Sequence, residues 1–150
     1  MPTARKIDLN QHTAFLSSLR VLVAEDAADS RMLVQRILQS MGFGTVVAVA
    51  NGGDAWTKIR EAANDGKPFD LVVSDWNMPG LDGMSLLRKV REHEGTSELP
   101  FLMLTGKQEA AQVRLAIGAK VSNYIAKPFS ADDFVPKVID LMVAHQKKKT

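Results

Sequence analysis

The chain contains no cysteine, so disulfides and thiolate metal sites are both excluded. No apolar stretch approaches the roughly 20 residues that span a bilayer, and the N-terminus lacks the apolar segment of a secretion signal. A cytoplasmic location is the simplest expectation. A glycine-rich phosphate loop is missing too: the first loop reads Glu25, Asp26, Ala27, Ala28, Asp29, which would repel a ligand phosphate. That counts against a flavin- or dinucleotide-binding protein. The three histidines, His12, His93 and His145, have no metal-ligand spacing and read as surface residues. Excess charge is slight. The formal net charge is +2, and Lys147, Lys148 and Lys149 supply three positive charges, leaving −1 for the rest. Those lysines read as a solvated basic tail that suits the negative end of a helix. With no basic stripe on a recognition helix and no helix-turn-helix after the last strand, DNA is not an expected partner.

What is present is an ordinary globular composition: 150 residues, 45% hydrophobic and 24% charged, enough for one domain. Five short apolar runs punctuate it. Val21, Leu22, Val23 and Ala24 stop at Glu25 and Asp26; Leu71, Val72, Val73 and Ser74 stop at Asp75. Phe101, Leu102, Met103 and Leu104 stop at Thr105 and Gly106; Tyr124, Ile125 and Ala126 stop at Lys127 and Pro128. Only the run from Thr45 to Val49 ends without such chemistry. Helical patterns alternate with these runs, which predicts a parallel sheet with helices on both faces. The expected organisation is an N-terminal extension over residues 1–18, one domain over 19–146 and a basic tail over 147–150. Ile7, Leu9, Phe15 and Leu16 offer a short surface helix, but the arm reads as frayed.

The first helix is expected to start at Asp29 or Ser30, with Leu33, Val34, Ile37, Leu38 and Met41 at helical spacing and Gly42 as its stop. Asn51 is placed to cap the second, with Ala55, Trp56, Ile59 and Ala63 inward. Asp82 is placed to cap the third, with Leu86, Leu87 and Val90 inward and its end at Gly95. The fourth runs from about Gln108 to Ile117. Ser130 starts the fifth, with Phe134, Val138, Leu141 and Met142 on one face. Pro136 conflicts with that helix, because inside a helix proline removes a hydrogen bond. The helix either starts later or bends there. The seven methionines, Met32, Met41 and Met103 among them, read as core filler.

If the runs are parallel strands, their ends meet at one edge of the sheet, where ligands bind in open α/β folds. Three acids gathered there repel one another until a cation neutralises them. Their hard oxygens favour Mg²⁺, which also suits phosphoryl transfer. Asp75 ends the most continuously apolar run, hence the central strand. Thr105 offers a hydroxyl and Lys127 a point charge to a phosphoryl group on Asp75. Gly106 leaves room for a phosphodonor. The Lys127 to Pro128 bond is a candidate cis bond that would aim the lysine inward. For Tyr124, packing and switching are equally open readings.

Glu25 with Asp26, the stretch Ser74, Asp75, Trp76, Asn77, Met78, Pro79, then Thr105 with Gly106, and finally Tyr124 to Phe129 resemble the receiver domain of bacterial response regulators, in its CheY-like chemotaxis form. The resemblance covers roughly residues 19–145. It implies a flavodoxin-like (βα)5 fold, a five-stranded parallel sheet in the order 2-1-3-4-5. It also implies that Asp75 is the phosphoacceptor for a CheA-like sensor histidine kinase. Asp26, Asp75 and the backbone carbonyl of Asn77 would hold Mg²⁺, with Glu25 acting through a water. Lys127 would pair with the phosphoryl oxygens, Thr105 would move toward them and Tyr124 would turn inward. These movements would alter the surface made by the fourth helix, fifth strand and fifth helix, which a FliM-like flagellar motor switch protein would read. A phosphatase is a further partner the family admits. The expected species is a cytoplasmic monomer with no membrane partner, and not a conventional enzyme, although it catalyses its own phosphoryl acceptance and hydrolysis. With no effector domain following, output is expected to come from binding. Three features depart from the pattern: Glu25 replaces the usual aspartate, Lys107 adds a charge near the pocket mouth, and the arm is long.

Two alternatives stay within the family: a phosphorelay carrier, and a regulator of a non-flagellar target. A third is a phosphatase of the haloacid dehalogenase type, which also uses an aspartate after a strand. That chemistry needs an acid two residues on, where this chain has Asn77.

Overall fold

Every apolar run identified above is a strand, and all five lie parallel in one sheet. The computed structural model describes residues 15–106 and 110–149. The strands are Arg20–Ala24 (β1), Thr45–Val49 (β2), Leu71–Asp75 (β3), Phe101–Thr105 (β4) and Asn123–Ala126 (β5), ordered β2-β1-β3-β4-β5. The helices are Ala28–Met41 (α1), Gly52–Asn64 (α2), Gly83–Glu92 (α3), Ala110–Gly118 (α4) and Ala131–Lys149 (α5). The fold class and strand order are those the resemblance implied.

Alternation along each strand divides the core. Val21, Val23, Leu71, Val73, Leu102, Leu104 and Ile125 face one side, against Val34, Ile37 and Leu38 of α1 and Phe134, Val138 and Met142 of α5. Leu22, Ala24, Val72, Phe101 and Met103 face the other, against Ala55 and Ile59 of α2, Leu86, Leu87 and Val90 of α3, and Ala116 of α4. β3 is buried along its whole length, as a central strand covered on both faces must be. Among the described residues no helix is long and apolar enough to cross a membrane.

The capping chemistry is partly as expected. Asn51 Oδ1 accepts from the Asp54 N–H at 2.7 Å, and Asp82 Oδ1 from the Ser85 N–H at 2.8 Å. Ser130 and Asp133 cap α5 reciprocally, Asp133 N–H donating to Ser130 Oγ and Ser130 N–H to Asp133 Oδ2. Gly42 closes α1 in the left-handed region, φ 106°.

Several expectations are corrected. α1 starts at Ala28, with Ala27 as an N-cap that has no side-chain bond, so Asp29 and Ser30 lie inside its first turn. Met32 and Leu33 are about half exposed, not core. In α2, Ala62 is buried while Ala63 is only partly so. α3 ends at Glu92, and Gly95 belongs to a separate 3-10 turn, Glu94–Thr96. α5 runs through Pro136 and continues into the terminal lysines. Leu16, assigned to a frayed arm, is fully buried, and its carbonyl accepts from the N–H groups of Leu19 and Gly44. His93 and His145 are half-buried: the first meets the Trp56 ring edge-on, and the second lies 3.0 Å from Asp70. His12, Ile7, Leu9, Lys107 and Gln108 lie outside the described residues.

Candidate functional site

Strand register decides which side chains meet. β1 pairs with β3 so that Ala24 lies opposite Ser74, which brings the next residues, Glu25 and Asp75, level. β4 places Leu104 opposite Asp75, and β5 places Ala126 opposite Thr105. The ladder then extends one residue past the strands. The Glu25 N–H donates to the Val49 carbonyl at 3.1 Å, Trp76 N–H to Leu104 at 2.9 Å and Lys127 N–H to Thr105 at 2.7 Å. Residues separated by about a hundred positions are thereby held by backbone bonds at one edge.

Glu25, Asp26 and Asp75 each present a carboxylate oxygen, all within 4.8 Å of one another. Glu25 is fully buried and Asp75 nearly so, while Asp26 is exposed. The Lys127 ammonium donates to Glu25 Oε1 and stands 3.4 Å from Asp75 Oδ2. Its peptide bond to Pro128 is cis. Burial pushes the Glu25 carboxyl above its usual range, the neighbouring Asp75 carboxyl pushes the same way, and the Lys127 ammonium opposes them. For Lys127, burial works against the charged form, but the Glu25 and Asp75 carboxylates outweigh it and raise the pKa.

Thr105 is 1% exposed, and its hydroxyl has no hydrogen-bond partner among the described residues. Leaving a buried hydroxyl unpaired costs on the order of 1–3 kcal/mol, so a site that keeps one is suited to a ligand acceptor. Among the described residues, nothing lies within 4 Å of where a Cβ on Gly106 would stand. Tyr124 is half-buried, with Lys137 Nζ 5.9 Å from its ring centre. Asn77 is exposed on the loop after β3, next to the buried Trp76 and Met78.

The donor set fits a hard divalent cation. Three oxygens converge, the exposed Asp26 leaves access for water ligands, and the lysine supplies only one of the positive charges that the carboxylates call for. Glu25, Asp26 and Asp75 are therefore the residues able to hold Mg²⁺.

Two supporting residues escaped sequence reasoning. The Arg31 guanidinium donates to the carbonyls of Glu25, at 3.0 Å, and Asp26, at 3.3 Å, fixing the turn that presents both acids. Gly83 brings the start of α3 against the loop: its N–H donates to the Trp76 carbonyl at 2.8 Å, and a Cβ there would fall 2.3 Å from the Asp75 carbonyl oxygen. A glycine placed directly after a capping aspartate, where alanine would favour the helix by about 1 kcal/mol, was the available signal.

Comparison with known proteins bears on the family and the fold. Residues 21–139 match the family model described as the response regulator receiver domain. The chain is 34% identical over 114 residues to chemotaxis protein CheY-3 of Vibrio cholerae, covering 76% of this chain and 84% of that protein. It is 35% identical over 112 residues to chemotaxis protein CheY1 of Helicobacter pylori, covering 75% and 87% respectively. The crystal structure of Vibrio cholerae CheY4 superposes with a TM-score of 0.74 at 26% identity, over 82% of this chain and 98% of that one. The receiver domain of the histidine kinase CKI1 from Arabidopsis thaliana, solved with Mg²⁺ and BeF3⁻, shares the fold: TM-score 0.74, 23% identity, 93% and 97% coverage.

Proposed function

Because the chain belongs to the response regulator receiver family, we propose that it is a signalling switch thrown by phosphorylation of Asp75. A carboxylate oxygen of Asp75 attacks the phosphorus of a phosphohistidine on a CheA-like kinase. The P–N bond breaks as the P–O bond forms, and the electron pair leaves with the imidazole. Asp26, Asp75 and the Asn77 carbonyl are the proposed Mg²⁺ ligands, with Glu25 acting through a water; the ion would neutralise charge on the transferring oxygens.

The observation that carries this reading is the Lys127 ammonium held between Glu25 and Asp75. It stands 3.4 Å from the proposed acceptor carboxylate, within easy reach of a phosphoryl group placed there. The unpartnered Thr105 hydroxyl donates to a second phosphoryl oxygen, and its shift draws Tyr124 inward. The surface of α4, β5 and α5 changes with it. Since the relatives named above are chemotaxis proteins, a FliM-like flagellar switch protein is the proposed reader. Membership in the receiver family leaves the haloacid dehalogenase alternative without support.

Acetyl phosphate with Mg²⁺ should label the wild-type chain on one residue and leave Asp75→Asn unlabelled. Labelling of that variant would remove Asp75 from its role. Beryllofluoride-dependent capture of flagellar switch protein tests the reader, and capture indifferent to beryllofluoride would count against it.

A further inference from the structure

We propose that a trough at the opposite edge of the sheet, between α3 and α4, docks an acidic segment of a partner protein bearing one leucine-sized side chain. The trough encloses about 930 Å³ and is walled by the second half of α3, the end of α4 with the turn after it, and the end of α5. Parallel topology puts these helix ends at the amino-terminal edge, a strand length of about 16 Å from the acidic site. It is thus remote from the phosphorylation chemistry, and it borders the α4, β5 and α5 surface by sharing the ends of α4 and α5.

Among the described residues, five cations line it, Arg88, Arg91, Arg114, Lys120 and Lys148, against two carboxylates, Glu92 and Glu98. Arg91 is committed to the fold. Its guanidinium donates to the carbonyls of Lys120 at 2.8 Å, Ser97 at 3.2 Å and Leu99 at 2.6 Å, and to Ser122 Oγ at 3.3 Å, tying α3 to the turns before β4 and β5. The trough therefore has a fixed floor. The other four cations are exposed and have no ion-pair partner among the described residues. The carbonyl dipole at the end of α3 favours cations in its last turn, but it does not account for Arg114 in the middle of α4. Unpaired cations crowded around one concavity repel each other, and an anionic ligand relieves that repulsion.

The apolar part of the lining selects the kind of anion. Leu115 is 51% exposed in the same wall, and Gly118 and Ala119 continue its surface. A peptide with one apolar side chain between carboxylates satisfies both features. A nucleic acid satisfies neither: Glu92 and Glu98 would repel a continuous phosphate backbone, and among the described residues no aromatic ring lines the trough for base stacking.

The test uses the full chain and a fluorescein-labelled peptide of sequence EELEE, read by anisotropy and by amide shifts in nitrogen-labelled protein. The peptide should bind, shift the amides of Arg88, Leu115 and Lys120, and weaken as salt rises from about 50 to about 300 mM. The double variant Arg88→Ser with Arg114→Ser should lose roughly tenfold or more in affinity; Arg36→Ser, on α1 at the other face of the sheet, should lose none. Replacing the peptide leucine by alanine should also lower affinity. The proposal is overturned by equal affinity in the double variant, by an oligothymidylate of matched charge binding as tightly as the peptide, or by no shift at the trough amides. Both arginines are exposed, so thermal melts of the double variant should match wild type.

Discussion

Lys127 and Glu25, 102 positions apart in the chain, form an ion pair at the floor of the acidic pocket, with the carboxylate fully buried and the ammonium partly exposed. Removing one partner of a buried pair costs roughly 3–5 kcal/mol because the other is left uncompensated. Lys127 keeps about a quarter of its side chain exposed, which screens the loss toward about 2 kcal/mol. Lys127→Met should be destabilised by about that amount at pH 8 without metal, measured by urea unfolding. The pH dependence has a definite sign. The folded-state pKa of Lys127 lies above the ordinary 10.5, so its stabilisation is complete below 10.5 and disappears as pH rises through the folded value. The gap between wild type and variant should therefore narrow above pH 10.5. A gap that widens there would contradict the pairing.

Thr105→Val should separate stability from switching. The hydroxyl is buried and unpaired among the described residues, so replacing it with a methyl should leave the unphosphorylated chain unchanged or more stable by about 1 kcal/mol. Beryllofluoride should still bind near Asp75, yet the accompanying change in the amide spectrum of β5 and α5 should shrink. Destabilisation by more than about 1 kcal/mol would show that the hydroxyl has a partner in the resting protein.

Gly83→Ala tests the close approach of α3 to the loop. A Cβ cannot stand 2.3 Å from the Asp75 carbonyl oxygen, so helix and loop must part. Overpacking of this kind costs roughly 1–3 kcal/mol, outweighing the gain in helix propensity. Phosphoryl labelling by acetyl phosphate should slow as well, because the displaced backbone is that of Asp75. A stable variant with normal labelling would mean that the contact relaxes without consequence.

The site was legible because each group ends an apolar run and parallel strands carry all their ends to one edge. That logic needs no knowledge of which strands are neighbours. Strand order is different: nothing in the runs themselves says that β1 lies between β2 and β3, and the resemblance supplied it. Local errors have local causes. Asp29 and Ser30 are good caps in isolation, but Arg31 fastens the carbonyls of Glu25 and Asp26, and its own N–H bonds the Ala27 carbonyl, so α1 starts immediately after the acids. Leu33 falls beside the inward stripe of Val34, Ile37, Leu38 and Met41 and emerges half exposed. Leu16 and His145 were misjudged because their partners are remote. The Gly44 N–H reaches the first, and the buried Asp70 carboxylate binds the second while also accepting from the Arg20 N–H at 2.9 Å. Such contacts leave no periodic trace in sequence.

Trp76 gives a direct reading of the cation. It follows Asp75 in the chain, is 8% exposed, and is fixed at both backbone groups: its N–H to the Leu104 carbonyl and its carbonyl to the Gly83 N–H. Any change in the charge shared by Glu25, Asp26 and Asp75 acts on a buried indole whose backbone is held beside them. Trp56, the second indole, lies on α2 edge-on to His93 and supplies background. In the Trp56→Phe variant, Mg²⁺ at about 1–10 mM should change the emission saturably, and Asp26→Asn added to that variant should weaken the response. Lys127→Met should strengthen it, because the ammonium and the cation compete to neutralise the same carboxylates. A flat titration in Trp56→Phe would leave the three carboxylates a purely electrostatic partner of Lys127, with no site for the metal.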